Sequence, residues 1–146
     1  MKACLLNSSF VIDPLNEIAE GRDGPAFARL QRNTGARLWI SAVTLAEVLE
    51  GANDAATVKL WLARFAWQGI HRMHAESVAA RQRRSSRRMA ENDAWQCAIA
   101  ERMNAALVAH DAVLRALGSR YEDYREPWHN SPASLRPDRV SGIARN

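Results

Sequence analysis

Lysine, cysteine and tyrosine are scarce in this chain. Lys2 and Lys59 are the only lysines among 146 residues, so arginine carries nearly all of the positive charge. The net charge is +4 and the sequence pI about 9.7. Guanidinium forks match phosphate geometry, so this balance admits a nucleic-acid partner without demanding one. Two cysteines, Cys4 and Cys97, stand far apart with no CxxC spacing. That argues against a disulfide framework or a structural zinc site, and each reads as a small buried hydrophobe. No apolar run approaches the length of a bilayer span. The opening MKACLLNSS has too short an apolar stretch for a secretory leader. The expectation is a cytoplasmic protein without membrane contact. With 47% apolar residues, the length suits one domain around one core.

Apolar runs and helical periodicities alternate along the chain. Residues 3–6 read as a short strand. Residues 10–20 read as a helix with Pro14 in its first turn, broken by Gly21 and Gly24, and 25–32 as a second helix closed by Asn33-Thr34-Gly35. Leu38-Trp39-Ile40 reads as a second strand. Ser41 caps a helix over 42–51 that buries Leu45, Val48, Leu49 and Ala52. Residues 55–67 read as a helix, 69–73 as a weak third strand, and 74–89 as a long helix. Asn92 reads as the N-cap of a helix running to about Asn104, with Trp95, Ala98, Ile99 and Met103 as its stripe. Residues 105–109 form a fourth strand, 111–117 a short helix ended by Gly118, and 119–124 a possible fifth strand. The alternation predicts an α/β protein with a parallel sheet of four to five strands. Periodicity stops at Glu126, and three of the five prolines lie beyond it. The domain is therefore expected over 1–125, with 126–146 as a tail, draped near Trp128 and disordered after Pro137.

Ligands of open parallel sheets bind beyond the carboxyl ends of the strands. The polar residues there are Asn7 after the first strand, Glu47 in the helix after the second, Asp93 at a helix start, and Asp111 after the fourth strand. Each has a plain alternative. Glu47 reads equally as an exposed helix acid, Asp93 as an acid favoured by the helix dipole, and Asp111 as an N-cap. Together at one end of one sheet, they repel unless a hard divalent cation holds them.

The segments CLLNSSFVID, ISAVTLAEVLEGA, AENDAWQCAIA and LVAHD, in this order, resemble the PIN-domain family, most closely the VapC-type toxins of bacterial toxin–antitoxin pairs. YEDYR resembles the close of such a domain. The resemblance covers about residues 1–124. It implies a Rossmann-like α/β/α sandwich and a magnesium- or manganese-dependent endoribonuclease. It also implies an RNA substrate such as tRNA, a cognate antitoxin and a homodimer. The acidic pocket implied by the family maps onto Asn7, Glu47, Asp93 and Asp111, with Asn7, Asp93 and Asp111 as metal ligands and Glu47 taking a proton. The family's first position is an aspartate, and threonine is usual at Ala109. Asn7 therefore offers an oxygen without a charge, which implies weak metal binding and poor cleavage. It is either the natural residue of a degenerate site or a change introduced into an active one, and the intact Glu47, Asp93 and Asp111 favour the second. Ser8 or Ser9 orients water in such a site or, more plainly, caps the following helix. The alternative is a non-catalytic PIN-like module that binds RNA or protein.

The run RQRRSSRR gathers Arg81, Arg83, Arg84, Arg87 and Arg88 shortly before Asp93. Arg81, Arg84, Arg87 and Arg88 are candidates for holding an RNA backbone. A solvated helix end, or a surface for an acidic antitoxin segment, explains the run equally well. Trp61 and Phe65 read as packing or partner-facing, and Trp39 and Trp95 as core. His71 and His74 form an HxxH pair without a third zinc ligand. His110 is a loop histidine beside Asp111. An acidic pair after the first strand and a late lysine would mark a receiver-type signalling domain; neither is present.

Overall fold

The computed structural model describes residues 2–32 and 35–127. The expected tail from Trp128 onward, and the Asn33-Thr34 part of the expected helix stop, lie outside the described residues. Five parallel strands form one sheet in the order β3-β2-β1-β4-β5. They are β1 (Ala3–Leu6), β2 (Arg37–Ser41), β3 (Ala66–Gln68), β4 (Ala106–Ala109) and β5 (Tyr121–Asp123). The helices are α1 (Ser8–Ala19), α2 (Pro25–Gln31), α3 (Ala42–Glu50), α4 (Ala55–Leu62), α5 (Arg72–Arg84) and α6 (Glu91–Arg102). A 3-10 segment, Ala112–Arg120, links β4 to β5.

The central strands are apolar on both faces because helices cover both. Alternation sorts them. Cys4, Leu6 and Val108 join Phe10, Val11, Ile40 and Trp61 in one core layer. Leu5, Leu107 and Ala109 join Cys97, Ile99, Leu114 and Tyr121 in the other. Both cysteines are free and buried, and burial pushes the Cys97 thiol up to about 11. Strand order reverses at β1, so the mouth between the ends of β1 and β4 is where a ligand site is expected.

Several boundaries differ from the sequence reading. The first helix starts at Ser8, so Pro14 sits in its interior rather than its first turn. There it leaves the Phe10 carbonyl without a helical donor. The expected helix over 55–67 stops at Leu62, and Ala66–Gln68 pairs with β2 as an edge strand, in place of the strand expected at 69–73. Short apolar runs do not distinguish helix from strand. Here Phe65 turns into the core while Trp67, on an uncovered edge, is 51% exposed. The helix expected over 74–89 runs from Arg72 to Arg84 instead. Its start is built by the two histidines: the His71 backbone N–H donates to Nδ1 of the buried His74 at 2.9 Å. The next helix is capped by Ala90, not Asn92, which lies in its first turn. Trp39 and Trp95 are only half-buried. Arg37 stacks over the Trp39 ring and the Trp95 indole donates to Glu91. Trp61 and Phe65 pack edge-to-face in the core.

Candidate metal centre

Asn7 leaves β1 and caps α1 in extended backbone geometry. An asparagine at this position normally accepts from the first-turn N–H groups. Asn7 makes no such bond. Its Oδ1 instead accepts from Gln96 Nε2 of α6 at 3.2 Å. Ser8 does not cap the helix either: its hydroxyl donates to Glu47 Oε2 at 3.4 Å.

Glu47 lies in the second turn of α3 and Asp93 in the first turn of α6, both half-buried. Burial raises the Glu47 carboxyl above its ordinary range; Ser8 opposes this, and the charges of Asp93 and Glu50 add to it. Burial also raises Asp93, and the charge of Asp111 adds to that. Glu47, Asp93 and Asp111 thus form a chain of like charges, none with an ion pair among the described residues. The plain reading of Glu47 as a solvated surface acid does not hold. Asp93 sits where the helix dipole favours it, and its side chain makes no capping bond. Asp111 does cap: its Oδ1 accepts from Val113 N–H at 3.0 Å.

Asp111 is held from behind. Its backbone N–H donates to the Tyr121 hydroxyl at 3.0 Å, which donates in turn to Asp123 at 3.4 Å. His110 Nδ1 lies 3.1 Å from Asp123, and Arg115 also pairs with that carboxylate. Tyr121 and Asp123 belong to the YEDYR segment, but their support of Asp111 is not readable in the sequence, because nothing local links them to it. Gln96 and the buried Thr44 were missed for the same reason, whereas Ser41 caps α3 as its sequence suggests, accepting from the Thr44 N–H at 3.3 Å. Ser41 Oγ donates to Gln96 Oε1 at 2.7 Å, Gln96 Nε2 donates to Thr44 Oγ1 at 2.7 Å, and Thr44 Oγ1 donates to the Leu6 carbonyl at 2.9 Å. This network ties the end of β1 to α3 and α6 beneath the acids.

The donor set suits a hard cation in kind: three carboxylates with no neutralising base among the described residues, two of them raised in pKa partly by like charge. Among the described residues, however, no group of three or more His, Cys, Asp or Glu is drawn close enough to hold a metal ion. Position 7 contributes an amide rather than a fourth carboxylate.

The basic run is divided. Arg81 is paired with Glu101 at the far end of α6, and Arg88 with Glu91 at its near end. Arg83, Arg84 and Arg87 are exposed, and no ion pair is formed by them among the described residues. Arg87 lies in the loop that enters α6.

Helices on both faces of a five-stranded parallel sheet, with acids at the strand ends, define an open α/β nuclease-like architecture. The PIN domain family model matches residues 4–119, and the chain belongs to that family. No curated protein matches the chain. Among solved structures, a toxin–antitoxin complex from Klebsiella pneumoniae is similar at TM-score 0.69 and 20% identity, over 85% of this chain and 99% of that one. VapBC-1 from nontypeable Haemophilus influenzae is similar at TM-score 0.65 and 18% identity, over 85% and 99%. FitAcB from Neisseria gonorrhoeae follows at TM-score 0.66 and 15% identity, over 83% and 97%. At these identities the likeness concerns the fold. No helix of the described residues is long and apolar enough to cross a membrane.

Proposed function

We propose that the chain is a VapC-type endoribonuclease toxin, dependent on magnesium or manganese, whose activity is weakened by Asn7. The observation that carries this reading is the chain of like charges Glu47–Asp93–Asp111 at the carboxyl ends of the sheet, without an ion-pair partner among the described residues. Asp93, Asp111 and an oxygen at position 7 would hold the cation. When bound, it supplies Lewis-acid polarisation of the scissile phosphate. Glu47 Oε2 is engaged by Ser8, which leaves Oε1 to take a proton from the attacking water; its raised pKa suits that role. Arg84 and Arg87, exposed and without an ion pair among the described residues, are the candidates for holding the RNA backbone, with tRNA as a candidate substrate; Arg81 and Arg88 are engaged by glutamates. The names of the structural neighbours, which are toxin–antitoxin complexes, support an antitoxin partner; the cytoplasmic location and the homodimer rest on the family resemblance alone.

The second reading, a non-cutting PIN module that binds RNA or protein, is favoured by the Asn7 amide itself. Restoring the charge separates the two. Purified Asn7→Asp protein is incubated with a broad RNA panel, tRNAs included, with manganese or magnesium and with a chelator. The toxin reading expects metal-dependent cleavage by Asn7→Asp and little or none by the Asn7 protein. An inert Asn7→Asp variant defeats it and leaves the binding module.

A further inference from the structure

The geometry points to Gln96 as a positioning residue that sets which end of the residue-7 side chain faces the acid cluster. The inference rests on the reading that this cluster takes a divalent cation. The orientation follows from counting protons. Thr44 Oγ1 spends its one proton on the Leu6 carbonyl, which only accepts. Towards Gln96 it must therefore accept, and this places the Gln96 amide nitrogen on the Thr44 side. Ser41 agrees: its oxygen accepts from the Thr44 N–H at 3.3 Å, and its proton goes to Gln96 Oε1. The second Gln96 amide proton then meets Asn7 at 3.2 Å, so the Asn7 oxygen is turned inward.

The Asn7 nitrogen is left on the other side. It has no hydrogen-bond partner among the described residues, yet it is not among their sealed, unpartnered atoms, and Asn7 is 9% exposed. The absent helix cap agrees with this orientation, because the Asn7 oxygen is directed at Gln96 rather than at the first-turn N–H groups. A cation approaching residue 7 thus meets an N–H donor rather than an oxygen. Turning the amide over would set NH2 against NH2. Aspartate is free of this conflict: one oxygen accepts from Gln96 and the other faces outward. Gln96, 1% exposed and fully bonded, therefore makes asparagine at position 7 a poorer ligand than loss of charge alone would.

The test is Mn2+ affinity, measured without RNA by titration calorimetry or electron paramagnetic resonance, on four proteins: parent, Asn7→Asp, Gln96→Glu, and the double variant. In the parent, Gln96→Glu supplies an acceptor, the amide turns over, and Mn2+ binds about tenfold tighter. In the Asn7→Asp background, the same change sets carboxylate against carboxylate and weakens binding about tenfold. A structural role, or the added charge alone, moves both backgrounds the same way, and that result overturns the inference. If Gln96→Glu fails to fold, Gln96→Met replaces it. Weakening confined to the Asn7→Asp background is then expected, and equal weakening in both overturns. If Asn7→Asp binds Mn2+ but the reversal is missing, only the role of Gln96 falls. If no variant binds Mn2+, the cation reading of the acid cluster falls first and takes this inference with it.

Discussion

Arg29 of α2 and Glu122 of β5 form an ion pair, with the arginine side chain 4% and the glutamate side chain 17% exposed. Arg32 reaches the same carboxylate at 3.3 Å, and Arg29 also contacts the Cys4 sulfur at 3.7 Å. The pair fastens α2, which packs over one core layer, to the edge of the sheet. Removing one partner leaves the other charge desolvated, whereas removing both does not. Arg32 still contacts Glu122 in Arg29→Ala, so the expected loss of unfolding stability lies at the low end for a broken buried pair, about 3 kcal/mol. Arg29→Met combined with Glu122→Gln should recover most of that. Urea denaturation checks both, and a double variant no more stable than Arg29→Ala refutes the argument.

Glu17 is buried and acts as a remote cap, accepting from the backbone N–H groups of Ala26 at 3.1 Å and Phe27 at 2.7 Å. Its carboxyl occupies the space that a Cβ on Gly24 would need. Gly24→Ala must therefore displace the cap, with an expected loss of about 1–3 kcal/mol. Gly51 is the control, since a Cβ there meets only ordinary contact with the Glu47 carbonyl. Thermal melts should show a clear drop for Gly24→Ala and almost none for Gly51→Ala. Equal melting temperatures would rule out the overlap.

Glu47 and Asp93 carry carboxyls raised mainly by burial and further by neighbouring charge. A raised folded-state pKa means that stability is fully present below the ordinary value and is lost as pH rises through the folded value. These two acids therefore oppose folding at neutral pH and cease to do so as pH falls toward the ordinary carboxylate range. Asp93→Asn is expected to melt higher than the parent at pH 7 and at the same temperature near pH 4. Mn2+ added to Asn7→Asp protein should relieve the same strain at pH 7. An Asp93→Asn variant less stable than the parent at pH 7 would contradict the like-charge account.

The sheet was legible from its apolar runs. β1, β2 and β4 carry short uninterrupted hydrophobic stretches that only a doubly covered parallel sheet explains, and all three sit where the runs stand. The third strand was not legible, because the apolar run from Leu60 to Trp67 fits a helix as well as an edge strand. Pairing with β2, which the sequence does not display, settles it. The acids of the candidate centre were legible because they follow strands or open helices. Their supports were not. Tyr121 and Asp123 reach Asp111 through hydrogen bonds that close only in the folded chain, and Gln96 reads as an ordinary helix residue within AENDAWQCAIA.

The network beneath the acids is assembled from the end of one strand, the start of α3 and the first turns of α6, which are far apart in the chain. No single supersecondary unit contains it. A chain with α6 loosened has no acid cluster, no fixed orientation at residue 7 and no partner for Ser41. The arrangement around residue 7 therefore depends on long-range packing, so the orientation of that side chain reports on the docking of α3 and α6 against the sheet.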